Sequence, residues 1–177
     1  MRPTSKNYSV TLQCDSDDHK IAALAALAVG IHVIESALPS PLPGVKPGFA
    51  NIIVLITLML YGFRAAAWVS ILRLLGGSLM IGSFLSPTFF LSLSGAVTSL
   101  LVVGLLLKIP IIRPGVITLS IIAALAHISA QFWFAWWLLI PHPNLLTLYP
   151  VLLTASFFMG TLSGLIALRL LKTLEKN

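Results

Sequence analysis

The chain has 177 residues, of which 58% are hydrophobic and only 9% are charged, and its mean hydropathy is +1.00. A single water-soluble core of this size could not bury so much apolar surface, so an ordinary soluble domain is excluded. The formal net charge of +6 needs no nucleic-acid partner, because basic residues that flank membrane helices account for it. The partner that composition predicts is the lipid bilayer.

Long runs almost free of charge predict spanning α-helices rather than β-barrel strands. The predicted fold is an all-α integral membrane protein, a bundle of six transmembrane helices. A polar tail, 1–19, precedes the membrane domain, 20–172, and a short tail, 173–177, follows it. The predicted helices, separated at Pro, Gly and charge clusters, are about 20–38, 47–62, 63–85, 88–107, 115–140 and 145–172.

The distribution of basic residues predicts the orientation of these helices. With six crossings, one side of the membrane collects nine of the eleven Lys and Arg residues, the other side holds Lys46, and Arg73 lies within the membrane. Because basic loops stay on the cytoplasmic side, both termini are predicted to be cytoplasmic. The expected location is the bacterial cytoplasmic (inner) membrane, which the chain crosses several times.

The first helix is followed by an irregular stretch, "ESALPSPLPGVKPGFAN", from Glu35 to Asn51. Its four prolines fix φ and remove backbone donors, which suits a segment at the membrane edge. It is predicted to face the exterior, where it is either a stiff connector or a lid over a site, and the lid is the favoured interpretation. The small residues Ala22, Ala26 and Gly30 repeat every four residues on the preceding helix, a pattern typical of a helix-docking surface.

Polar and ionisable side chains recur at membrane depth, where such groups are costly and usually mark function. His32 and Glu35 share one helix face, as do His127 and Gln131 on another. Together they predict a water-filled cavity open to the exterior, with Arg73 at its floor as a clamp for a carboxylate or phosphate. The alternative is that Glu35 and Arg73 neutralise each other and the histidines join helices. The predicted substrate-binding residues are His32, Glu35, Lys46, Asn51, Arg73, Ser78, Ser92, His127 and Gln131.

Motifs of self-contained catalysis are missing from the sequence. "CDSDD", Cys14 to Asp18, is not the DDxxD pattern that binds magnesium diphosphate, and there is no Walker phosphate loop, HExxH or nucleophile elbow. We therefore expect neither an independent enzyme nor an ATPase, and we predict no catalytic residue, metal site or cofactor.

The stretch from Ile31 to Lys108 resembles a bacterial membrane family that is known both as heptaprenyl diphosphate synthase component I and as Gx transporter. The resemblance is carried by E-S-x-L-P-x-P-x-P-G-x-K-x-G-x-A-N, by L-R-x-x-x-G-S-L-x-x-G and by the P-x-F-x-x-S-L-x-G pattern. The first name implies an accessory subunit that works with a soluble prenyl diphosphate synthase in making a quinone side chain.

The second name, with six helices and an outward cavity, implies an architecture similar to the S components of energy-coupling-factor transporters. By that analogy residues 39–48 would cover a small-molecule ligand, and Ala22, Ala26 and Gly30 would dock a coupling subunit. The leading hypothesis is therefore a subunit that captures an anionic small molecule from outside. The alternatives are the accessory role in polyprenyl diphosphate synthesis and a scaffold protein without ligand.

Overall fold

A computed structural model describes residues 16–37, 48–109, 111, 114–139, 141–174 and 176. All regular elements in these ranges are helical. The α-helices are α1 (Ser16–Ala37), α2 (Phe49–Ile81), α3 (Pro87–Leu107), α4 (Val116–Phe134) and α5 (Tyr149–Leu174). A π-helical turn, Ala135–Leu139, extends α4, and a 3₁₀ helix, Pro143–Leu148, leads into α5.

Five helices of the described part are long and apolar enough to cross a membrane: Asp17–Ala37, Phe49–Ile81, Pro87–Leu107, Val116–Leu139 and Pro143–Leu174. Large apolar side chains cover their outer surfaces, such as Trp68, Met80 and Phe158, each more than 60% exposed. Such a surface suits lipid and not water. The structure is that of an all-α, multi-pass membrane protein.

The element α2 contains the boundary that the sequence predicts between its second and third helices. Gly62 has φ 82° and ψ −179°, a backbone conformation that only glycine adopts readily. In a straight helix Asn51 and Arg73, 22 residues apart, would be separated by about 33 Å at 1.5 Å per residue. The Arg73 Nη1 nevertheless donates a hydrogen bond to Asn51 Oδ1 at 3.0 Å. The chain therefore turns back at Gly62, and the first segment (49–61) and second segment (63–81) of α2 form a hairpin.

The element count thus differs from the sequence prediction: six helices were expected, and two of them form α2. Six membrane crossings and cytoplasmic termini stay predictions. Ser16 to His19, expected in the polar tail, belong to α1, because Asp17 and Asp18 in its first turn suit the positive end of the helix dipole. The second segment of α2 ends at Ile81 rather than 85, because Gly82 (φ 75°) closes the helix in the left-handed conformation.

Two regions of close packing hold the bundle together. Ala25 and Ala28 of α1 are buried against Ile53 and Val69, which lie on opposite segments of the α2 hairpin. On the other side α4 and α5 approach closely, because a Cβ at Gly160 would come 2.9 Å from the Cβ of Ala124. A space remains between these two packed regions, and it contains the candidate site.

Candidate ligand-binding cavity

A cavity of about 260 Å³ lies in the middle of the bundle and is lined by residues of all five α-helices. Seven of the nine predicted binding residues line it: His32, Glu35, Asn51, Arg73, Ser92, His127 and Gln131. These side chains come from four helices, and the fold brings them together although up to 99 residues separate them along the chain. Their role in binding a ligand stays a prediction.

Arg73 is the most unusual group in the cavity, because it is a charged side chain that is only 8% exposed. Its Nη1 donates to Asn51, but its Nε has no hydrogen-bond partner among the described residues. No carboxylate oxygen of the described residues lies within 4.0 Å of the guanidinium nitrogens. A buried charge with an unused donor is costly unless something else satisfies it. A guanidinium in this state is suited to binding an anion.

Glu35 forms hydrogen bonds that were not predicted from the sequence. Its Oε1 accepts a hydrogen bond from the backbone N–H of Phe49, and its Oε2 accepts one from Ala50 at 3.3 Å. These N–H groups belong to the first turn of α2, where they have no partner within the helix. The carboxylate of α1 thus caps the N-terminus of α2, across the stretch 38–47. This contact explains why a buried carboxylate is tolerated here.

The two histidines of the cavity each occupy a notch that a glycine leaves open. A Cβ at Gly77 would clash with Cδ2 of His32, and a Cβ at Gly95 would come 2.7 Å from Nε2 of His127. The neighbouring helices can therefore approach these rings only because positions 77 and 95 lack a side chain. Both glycines lie in stretches rich in small residues, a composition typical of close helix packing in membranes.

His127 and Gln131, four residues apart on α4, form a hydrogen-bonded pair. The Gln131 Nε2 lies 3.0 Å from His127 Nε2. The tautomer of His127 determines which of the two groups donates this hydrogen bond. The His127 Nδ1 has no partner among the described residues. Together with Arg73 Nε, it is an unpaired polar atom in the wall of the cavity.

Polarity falls along the length of the cavity. Its polar end is formed by His32, Glu35, Asn51, Arg73, His127 and Gln131, and its apolar end by Leu58, Phe63, Leu100 and Val103. Two serines near the apolar end have their hydroxyls bound to backbone carbonyls: Ser99 donates to Ala96 at 3.0 Å and Ser120 to Gly160 at 2.7 Å. They offer little hydrogen bonding to a ligand.

Two of the predicted binding residues lie elsewhere. Ser78 is buried but does not line the cavity, and its hydroxyl donates to the Leu75 carbonyl of its own helix at 2.9 Å. Lys46, with most of the predicted lid, is outside the described residues, which resume at Gly48. The roles of both residues in binding stay predictions.

The predicted docking stripe faces away from the bundle. Ala22 and Ala26 are exposed, and a Cβ at Gly30 would meet nothing within 4 Å. The buried residues of α1, Ala25 and Ala28, lie on the opposite face. The stripe is therefore accessible to another helix, whereas its use as a docking surface stays a prediction.

Several lining residues were missed in the site prediction: Phe63, Ser70, Thr88, Ser120, Ser156 and Ser163. A signal existed for some of them. Ser70 lies three residues before Arg73, and Ser120 lies seven before His127, so each shares a helix face with a predicted residue. Phe63 carried no such signal, since its place in the cavity depends on the turn at Gly62.

Comparison with known proteins identifies a matching family. The family model described as heptaprenyl diphosphate synthase component I matches residues 24–170 of the chain. Nothing among curated proteins or solved structures matches the chain. The match includes every residue that lines the cavity.

Proposed function

Because the chain belongs to the heptaprenyl diphosphate synthase component I family, we propose that it is a membrane accessory subunit of polyprenyl diphosphate synthesis. In this role the cavity holds the diphosphate end of an isoprenoid close to a soluble prenyl diphosphate synthase. The soluble partner performs the chemistry, since this sequence lacks the aspartate-rich motif that such chemistry uses. The chain supplies a binding site within the membrane.

The observation that carries this proposal is the state of Arg73. A guanidinium has five N–H donors in a planar fork that matches phosphate oxygens, and here Nε is unused while Nη1 donates to a neutral amide. The nearby carboxylate of Glu35 already accepts two backbone hydrogen bonds. The polar end therefore favours an anionic head group.

A binding experiment tests this proposal. We expect the purified full-length protein in detergent to bind geranyl diphosphate and to bind geraniol, the same chain without its charge, at least tenfold more weakly, because charge-assisted hydrogen bonds contribute about 1.5–3 kcal/mol. Isothermal titration with both compounds measures the difference. Equal affinity for the alcohol and the diphosphate would contradict an anionic head-group site.

A second candidate function is capture of a small anionic molecule for uptake, as in S components of energy-coupling-factor transporters. The stripe of Ala22, Ala26 and Gly30 on α1 favours it, because both alanines are exposed and the space beside Gly30 is open, so a coupling subunit could dock there. In this role residues 39–48 would close over the ligand, and Lys46, His32 and Asn51 would join Arg73 in binding it. The two functions differ in partner. Co-purification with a soluble prenyl diphosphate synthase supports the accessory role, and co-purification with a membrane coupling subunit supports the uptake role.

For both functions we propose six crossings of the bacterial cytoplasmic membrane with cytoplasmic termini, the two segments of α2 counting as separate crossings. The single cysteine, Cys14, allows a direct test. A membrane-impermeant maleimide should label Cys14 in inverted vesicles or permeabilised cells and leave it unlabelled in intact spheroplasts. A variant with Cys14→Ser and Lys46→Cys should be labelled in intact spheroplasts and stay unlabelled in inverted vesicles. Labelling of Cys14 in intact spheroplasts would reject the orientation.

A further inference from the structure

One aromatic ring, that of Phe63, lines the apolar end of the cavity. Phe63 is the first residue after the turn at Gly62, and its ring lies over Gly104 of α3. A Cβ at position 104 would come 2.8 Å from Cζ of Phe63 and 2.9 Å from Cε2. The ring is thus held against the backbone of α3, beside Val103, which also lines the cavity.

Phe63 is also part of the boundary between the cavity and the outside of the bundle. It lines the cavity, yet 39% of its surface is exposed. A ligand that extends from the polar end beyond this level must therefore displace the ring or go around it. The leucine and valine side chains at the apolar end offer an extended ligand only apolar contact.

Arg73 and Phe63 are ten residues apart on the same segment of α2, which separates their levels by about 15 Å at 1.5 Å per residue. The space between them changes from polar to apolar. Its volume of about 260 Å³ is slightly below the range of about 300–1,000 Å³ that encloses drug-sized ligands. A complete heptaprenyl chain does not fit into such a space.

From this arrangement we propose that the cavity binds short-chain isoprenoid diphosphates, with the head at Arg73 and the tail toward Val103, and that Phe63 sets the longest tail accepted. The inference rests on the proposed function and adds to it a residue that determines specificity. The ligand is then a precursor of the heptaprenyl product rather than the product itself.

The experiment compares tail lengths in the unaltered protein and in two variants. Dimethylallyl, geranyl, farnesyl and geranylgeranyl diphosphates are titrated into the full chain in detergent, and the affinity should rise with tail length up to a limit and then fall. The shortest diphosphate that the unaltered protein rejects should bind roughly tenfold more tightly to Phe63→Leu. This factor is comparable to the discrimination of hydrophobic pockets against one extra group. In Gly104→Ala we expect the longest accepted tail to be shorter. The added methyl group takes the place of the tip of the Phe63 ring and displaces the ring toward the cavity.

Phe158→Leu is the matched control, since Phe158 lies on the lipid-facing surface, 69% exposed, and does not line the cavity. It should leave the length profile unchanged. Thermal unfolding of each variant shows that the bundle is intact, and Phe63→Leu alone suffices if Gly104→Ala does not fold. An unaltered length profile in Phe63→Leu, with diphosphate binding retained, would overturn the inference and leave the proposed function standing. If the unaltered protein bound none of the four diphosphates, the proposed function itself would fail.

Discussion

Replacing Arg73 by glutamine should weaken the binding of geranyl diphosphate by roughly 10- to 150-fold, the equivalent of the 1.5–3 kcal/mol of a charge-assisted hydrogen bond. The variant loses the buried positive charge and the unused Nε donor, while glutamine retains a donor for Asn51. Isothermal titration at constant ionic strength measures the change. The affinity of Arg73→Lys should lie between those of Arg73→Gln and the unaltered protein, because lysine keeps the charge and loses the planar fork.

Arg64→Gln is the matched control for this substitution. Arg64 belongs to the same segment of α2, but its side chain is exposed and does not line the cavity. Its replacement should change the affinity less than twofold, since exposed charges contribute little. Equal affinities of Arg73→Gln and the unaltered protein, with similar melting temperatures, would remove Arg73 from the site.

Replacing Glu35 by alanine should destabilise the fold more than replacing any other polar residue of the cavity. The backbone N–H groups of Phe49, which is part-buried, and of Ala50, which is buried, would lose their acceptor, and each unsatisfied group shielded from water costs about 1–3 kcal/mol. We therefore expect a loss of about 2–6 kcal/mol, seen as a lower midpoint in thermal or denaturant unfolding in detergent. Glu35→Gln should cost less, because its amide oxygen still accepts one of the two bonds.

A carboxylate on the exposed start of the same helix provides the comparison. Asp17 is bonded to Lys20 at 3.0 Å, but its side chain is 55% exposed. Surface ion pairs contribute about 0–1 kcal/mol, so the unfolding midpoint of Asp17→Asn should be close to that of the unaltered protein. If Glu35→Ala and Asp17→Asn had the same unfolding midpoint, the capping contact would not stabilise the fold.

The helices were largely predictable, because apolar run length and the positions of Gly and Pro dominate their limits. Ser86 and Pro87 mark the start of α3: the Ser86 hydroxyl accepts from Phe89 N at 3.3 Å, and Pro87 occupies the first turn. Gly62 marks a helix boundary because its backbone conformation is not helical. That Gly62 reverses the chain within one element does not follow from composition, since a single glycine inside a helical pattern is usually tolerated without a break.

The site was predictable in part. Depth and helix face sufficed to bring His32, Arg73, His127 and Gln131 to one cavity, because ionisable groups in a membrane protein turn away from lipid. The partners of these groups were not predictable. Whether Glu35 binds Arg73, a ligand or a helix start depends on where the chain re-enters at Phe49, and no periodicity determines that position. Ser78 shows the limit of arguments from helix faces. It was predicted to bind the ligand, but its hydroxyl donates to a carbonyl of its own helix and it does not line the cavity.

The turn at Gly62 has a consequence for how the chain enters the membrane during synthesis. Between the two segments of α2 there is no polar loop, and the element Phe49–Ile81 is apolar throughout except for Asn51, Tyr61, Arg64, Arg73 and small hydroxylic residues. The insertion machinery therefore receives one hydrophobic stretch of 33 residues, longer than a single crossing requires. We expect the two segments to insert together as a preformed hairpin, with Arg64 retaining the turn on the side where translation takes place. Biogenesis of the cavity would then begin with the pairing of Asn51 and Arg73, before α3, α4 and α5 have been made.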